Sequence, residues 1–248
     1  MPKHSPLSPS GAECWLTCPL AAWWPLHSGR AEDPKPSVPA LRGTVLHALT
    51  TVCLDNGLRD VLELPAAVLP DSPECDAVNT VLRAAWSIID KTGGEWHTEQ
   101  NYQCVGPIYG TADLTIVSGQ HLVVVDYKFG KTKVSPIRNK QLGLYAIGAA
   151  KTFGITPTRI DLYILQPSAN WPVVPWQADI GWIKELYNDV NTTLKNAQHG
   201  DKPEPISGRH CYFCPVKAAG KCPAHNEGQT YSEGVPLSIQ DFDDLDVD

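Results

Sequence analysis

Residues 110–128 read Gly110-Thr111-Ala112-Asp113-Leu114-Thr115-Ile116-Val117-Ser118-Gly119-Gln120-His121-Leu122-Val123-Val124-Val125-Asp126-Tyr127-Lys128, and this stretch decides the fold. Two runs rich in Val, Ile and Thr flank the turn dipeptide Ser118-Gly119, the pattern of two strands joined tightly. A third run, 99–105, precedes Gly106-Pro107. Strands over 99–105, 110–117 and 121–128 therefore form a β-meander. The last ends Val-Val-Val-Asp-Tyr-Lys, a buried apolar strand that delivers Asp126 and Lys128 two residues apart, on one face.

Outward from the meander the period becomes helical. Upstream, Ser10-Gly11-Ala12-Glu13 has the form of a capping box; it opens a short helix that carries Cys14 and Cys18 on one face and stops near Pro19. Three prolines make 31–40 a loop. Helices follow over Gly43 to Asn56 and Cys75 to Lys91, separated by a turn region from Pro65 to Pro73. Downstream, Pro136 opens a helix to Phe153, Arg159 to Gln166 is a strand ended by Pro167, and Asp179 to Gln198 is a helix. No internal repeat is present. Helices, three strands, helix, strand, helix: the order is that of an α/β core.

At 248 residues with 42% hydrophobic and 19% charged residues, the chain has enough apolar material for a sizeable core, which excludes disorder throughout. No run approaches the roughly 18 apolar residues of a membrane span, and the N-terminal residues lack the basic-then-apolar pattern of a secretion signal. A cytoplasmic protein is expected. The net charge of −7 does not exclude nucleic acid. Five aspartates fall in 241–248, leaving −2 for the rest, while Lys128, Lys131, Lys133, Arg138 and Lys140 occupy thirteen residues without one acid. Screening makes such a local field count more than the total.

The candidate chemistry is carboxylate chemistry. Asp126 can hold a hard divalent cation and Lys128 can orient or deprotonate a water. Asp113 lies on the neighbouring strand and Glu99 opens the strand before it, while His47 lies on the preceding helix and Gln141 and Tyr145 stand at i and i+4 on the following one. A second constellation is Cys211-x-x-Cys214-x7-Cys222, with Cys18-Pro19 far upstream. Four thiolates at such spacing suit zinc or an iron–sulfur cluster equally. Cys14 is a rival first ligand, and His210 or His225 could substitute in a zinc site. Cys53, Cys75 and Cys104 read as buried small hydrophobes.

The order helix His, strand Glu, strand Asp, strand Asp-x-Lys, helix Gln-x-x-x-Tyr resembles the RecB-like branch of the PD-(D/E)XK nucleases. Gly43, Thr44 and His47 match its G-T-x-x-H, and Asp113, Asp126-Tyr127-Lys128 and Gln141-x-x-x-Tyr145 match the rest. Glu99 falls at a less regular position. The resemblance runs from about Ser8 to Cys222 and is nearest to phage-encoded and CRISPR-associated RecB-like exonucleases. It implies a restriction-endonuclease-like core, a central mixed sheet flanked by helices, with an iron–sulfur clasp joining the N- and C-terminal segments. It further implies Mg²⁺ or Mn²⁺ on His47, Asp113, Asp126 and the Tyr127 carbonyl, Lys128 as catalytic lysine, and Gln141 and Tyr145 along the DNA path. By the same resemblance Cys18, Cys211, Cys214 and Cys222 hold a [4Fe-4S] cluster, with Zn²⁺ the alternative.

The expected function is metal-dependent hydrolysis of DNA, single-stranded or at duplex ends, by an exonuclease of phage or bacterial recombination or repair. Lys131, Lys133, Arg138 and Lys140 would hold the backbone. A non-hydrolytic DNA-binding module and a zinc-stabilised interaction protein are the alternatives. One nuclease domain over 1–230 is expected, with a helical part 8–95, a catalytic core 96–170 and a C-terminal helix and cysteine cluster 179–225. An acidic, disordered tail 231–248 completes it. Within that tail Phe242, Leu245 and Val247 alternate with the aspartates, similar to the acidic tips of bacterial single-stranded-DNA-binding proteins. The tail could thus dock on a recombination partner or occupy the protein's own basic cleft.

Overall fold

Apolar periodicity and local caps set the elements. The computed structural model describes residues 5–28, 38–64, 72–169 and 175–225. Its helices are α1 (Ala12–Thr17), α2 (Pro19–His27), α3 (Val38–Asp55), α4 (Pro73–Thr92), α5 (Lys140–Thr152), α6 (Ile180–His199) and α7 (Pro215–Ala218). The strands are β1 (Glu95–Val105), β2 (Ile108–Ser118), β3 (His121–Tyr127), β4 (Arg159–Leu165) and β5 (Trp176–Gln177). They form one mixed sheet in the order β1-β2-β3-β4-β5. Pairing is antiparallel except between β3 and β4, which α5 connects as a βαβ unit.

Helices cover both faces, an α/β arrangement. One core joins α1, α2, α5 and α6 to residues such as Leu122 and Val124 of β3, and the other joins α3 and α4 to Val123, Val125 and Tyr127. Burial on both sides is why β3 reads as a continuous apolar run. Caps explain several boundaries. Ser72 accepts from Cys75 N ahead of Pro73, Asn139 from Leu142 N, and Asp179 from Trp182 N.

The expected elements need correction in places. The Ser10 capping box does not form: the residue before α1 is Gly11, without a side-chain cap, and Ser10 Oγ meets Ser8 Oγ instead. Pro19 does not end the helical region but opens α2 at its first position, where the missing N–H costs nothing. Residues 38–40 are helical rather than loop. The rest of the 31–40 loop, most of the 65–73 turn region and the 231–248 tail lie outside the described residues. Pro136 precedes α5 by four residues, Asn139 being the true cap. β1 starts at Glu95, and the short β5 had no counterpart in the sequence pattern.

One irregularity matters for the site. Trp96 of β1 and Leu114 and Ile116 of β2 pack in the α3–α4 core, whereas Tyr102, Cys104 and Ala112 pack in the other. Strict alternation would keep residues 96 and 102, or 112 and 114, on one face. Both strands therefore change faces between these positions, at the level of Glu99 and Asp113. Glu99 takes a left-handed φ of 45° there, a strained conformation for a non-glycine residue.

Close contact between α5 and β1 depends on Gly148. A Cβ at that position would lie 2.6 Å from Tyr102 Cβ and 3.3 Å from Cys104 Sγ. Gly148→Ala is expected to destabilise the protein, the overpacking cost of ~1–3 kcal/mol exceeding the gain in helix propensity. A lowered denaturant midpoint at unchanged slope checks this.

Candidate metal and nucleic-acid site

The face change turns Asp113 toward α3, which brings His47. Their contact is 3.2 Å, His47 Nδ1 to Asp113 Oδ1. Asp113 Oδ2 accepts the Tyr127 backbone N–H, which ties the end of β3 to β2. Glu99 completes a triad: one donor atom each from His47, Glu99 and Asp113 lies within 4.8 Å of the others. Thr51, one turn beyond His47, donates to Glu99 Oε1 at 3.4 Å. An imidazole and two carboxylates converging in this way form a donor set for a divalent cation.

Asp126 faces the other way. Its Oδ1 accepts from Gln141 Nε2 at 2.8 Å, and its Oδ2 lies 2.7 Å from Lys128 Nζ. The latter is a close ion pair to a buried carboxylate oxygen. Gln141 also accepts from Lys128 Nζ at 3.3 Å and reaches Tyr145 Oη at 3.4 Å. Gln141 thus spans the acid, the lysine and the tyrosine. Of the expected cation ligands, His47 and Asp113 meet with Glu99, while Asp126 is held beside them by Lys128 and Gln141. The Tyr127 side chain is fully buried, its ring 5.9 Å from the His47 ring centroid to centroid, while its backbone N–H meets Asp113.

Charges shape these groups. Burial lowers the affinity of His47 for a proton, but the Asp113 hydrogen bond and the charges of Asp113, Asp126 and Glu99 outweigh it and hold the imidazole above its usual value. Burial raises Asp126 to about 6 against the pull of Lys128, and burial together with Asp113 raises Glu99. Carboxylates crowded this closely carry repulsion that a bound cation relieves.

A cavity of about 830 Å³ opens over the triad and Lys128. At Lys128 it meets a second of about 650 Å³, lined by Lys131, Lys133, Arg138 and Lys140. Lys140 is paired with Glu13 at 3.0 Å. Sequence reasoning missed what shapes this second cavity. Gln166 donates to the carbonyls of Gly130 and Thr132 at 2.8 and 2.7 Å and accepts from Val134 N at 3.0 Å, clamping the lysine-rich loop onto the end of β4. The only signal was a polar residue closing an apolar strand before Pro167. Phe129, edge-on to the His47 ring with centroids 5.3 Å apart, was also missed.

The cysteines gather at the opposite ends of the chain. Cys14, Cys18, Cys211, Cys214 and Cys222 are all buried and close enough to act on one another electrostatically. Backbone N–H groups point at the sulfurs: Ile206 N at Cys18 and Gly208 N at Cys211, both 3.4 Å, Val216 and Lys217 at Cys214, and Ala224 at Cys222. A hydrogen bond from Cys14 is the main cause holding the Cys214 thiol below its usual value, while Cys14 itself is pushed up. Cys53, Cys75 and Cys104 lie apart, in the two cores.

A family model described as a protein of unknown function, DUF2800, matches residues 97–237, more than half of the chain. The chain belongs to the DUF2800 family. Over 120 residues this DUF2800 chain is 28% identical to the Gene 69 protein of Mycobacterium phage L5, a match covering 44% of this chain and 40% of the phage protein. A solved structure of a candidate exonuclease from Eubacterium rectale superposes with a TM-score of 0.48 at 14% identity, over 95% of this chain and 91% of that one. No described helix of the DUF2800 chain is long and apolar enough to cross a membrane.

Proposed function

We propose that this chain is a metal-dependent DNA nuclease of RecB-like type, its catalytic domain spanning residues 1–230. The observation that carries the reading is the His47–Glu99–Asp113 triad beside the Asp126–Lys128 pair, at the mouth of a lysine-lined cleft. The donor set fits Mg²⁺ or Mn²⁺, and the Asp126 carboxylate beside it, paired with Lys128, is a further source of oxygen. When bound, such a cation supplies Lewis acidity toward a phosphate oxygen and an acidified water. The residues do the rest. Lys128 Nζ, oriented by Gln141, positions the attacking water and offsets charge on the scissile phosphate. Asp113 fixes His47 in place, and the cleft lysines hold the backbone without reading sequence.

The buried cysteines fit a soft metal centre, since the N–H groups aimed at their sulfurs favour thiolates. We assign Cys18, Cys211, Cys214 and Cys222 to a [4Fe-4S] clasp, with Zn²⁺ the alternative. Cys14, which lies among the same buried cysteines, is the rival to Cys18 as upstream ligand. End-labelled single- and double-stranded DNA incubated with Mg²⁺ or Mn²⁺ tests the function. Cation-dependent shortening is expected. Binding without cleavage under every cation would favour the non-hydrolytic module, and neither binding nor cleavage would refute both.

A further inference from the structure

Between two buried cysteines the chain turns two aromatic rings outward. In Cys211-Tyr212-Phe213-Cys214 the cysteines are 9% and 6% exposed, whereas Tyr212 and Phe213 are 79% and 77% exposed. The turn is not slack. Residues Arg209–Phe213 form a 3₁₀ helix in which Cys211 N donates to Gly208 O at 3.0 Å and Cys214 N to Cys211 O at 3.3 Å. The rings meet edge to face, with centroids 4.6 Å apart and planes at 83°. Phe213 lines the same cavity as Lys131, Lys133 and Arg138, and Arg138 is held at a left-handed φ of 48°, a strain retained where the surroundings over-determine it.

We infer that Tyr212 and Phe213 form a base-stacking platform for single-stranded DNA at the outer end of the lysine-lined cleft. This rests on the nuclease reading and adds the form of the substrate. Exposed aromatic area costs solvation unless a partner covers it, and the charge beside it selects a polyanion. A single strand offers both partners together: phosphates for the cations and free base faces for the rings. A duplex hides its base faces within the stack and offers only the terminal pair. The pairing of a basic groove with stacking aromatics is how proteins hold single strands irrespective of sequence.

The test is binding of fluorescently labelled single-stranded and blunt duplex DNA to the intact protein in chelator, where nothing is cut. Phe213→Ala is expected to weaken single-strand binding about tenfold, within the ~5- to 150-fold that one lost stacked base represents. Phe213→Trp should retain affinity, and duplex binding should not change. Quenching of 2-aminopurine in the strand should also be lost in Phe213→Ala. Tyr212→Ala serves as the second variant should the first fail to fold. Unchanged single-strand affinity in Phe213→Ala, or an equal loss on both DNA forms, would overturn the platform. The two readings fail separately. Aromatic-dependent binding with no cleavage under Mn²⁺ would sink the nuclease and leave the platform, and cleavage with aromatic-independent binding would do the reverse.

Discussion

Asp113→Ala is expected to reduce DNA hydrolysis by at least about a thousandfold, since a cation's share of transition-state stabilisation is several kcal/mol. The variant loses a proposed cation ligand and leaves His47 Nδ1 and Tyr127 N without their acceptor. That second effect costs ~1–3 kcal/mol of stability, so Asp113→Asn, which keeps an acceptor oxygen, is the companion variant. Lys128→Ala should depress hydrolysis comparably while cation binding, followed by calorimetry, persists, because Nζ approaches Asp126 rather than the triad. Wild-type turnover by either alanine variant would dismiss the assigned site. Loss of cation binding in Lys128→Ala would move Lys128 from catalysis to maintenance of the metal site.

The second large effect concerns the cysteines. Cys211→Ser or Cys214→Ser should yield protein without iron and inorganic sulfide, destabilised by about 4 kcal/mol, the closure entropy of a loop that joins distant ends. In a chain of this size that corresponds to a melting temperature lower by about 10 °C. Cys18→Ser should behave alike. Cys14→Ser should keep the cluster if Cys18, as proposed, is the upstream ligand; loss of iron in Cys14→Ser alone would reverse that choice. Anaerobic metal analysis with visible absorption decides the matter. Zinc in place of iron would keep the clasp and change its chemistry, whereas full metal content in Cys214→Ser would remove it.

How far the sequence reaches depends on the range of the forces involved. The β2–β3 hairpin and the Asp126–Lys128 pair were legible because alternation and a turn dipeptide are local. Asn139, not Pro136, caps α5, and the loop before it is organised by Gln166, far along the chain just past the end of β4. Glu99 was expected to open a strand but sits mid-strand at a left-handed residue. No local pattern announces a change of face, yet that change sets Glu99 beside His47. The aromatic character of Tyr212 and Phe213 was plain in the sequence. Their outward orientation was not, because it follows from the cysteines on either side turning inward.

The packing of α1 and α2 against α6, α7 and the Arg209–Phe213 turn has a consequence for biosynthesis. Trp15, Leu20, Ala21 and Ala22 are buried, and part of what packs against their helices lies close to two hundred positions further along the chain. At a translation rate of roughly 5–20 residues per second, this apolar surface waits on the order of 10–40 s for its cover. Through that interval part of the apolar surface of α1 and α2 stays exposed on the nascent chain. The sheet and the α5 and α6 that cover it lie earlier in the chain, so the contacts of α1 and α2 with the Arg209–Phe213 turn and α7 are the last of this core to become available.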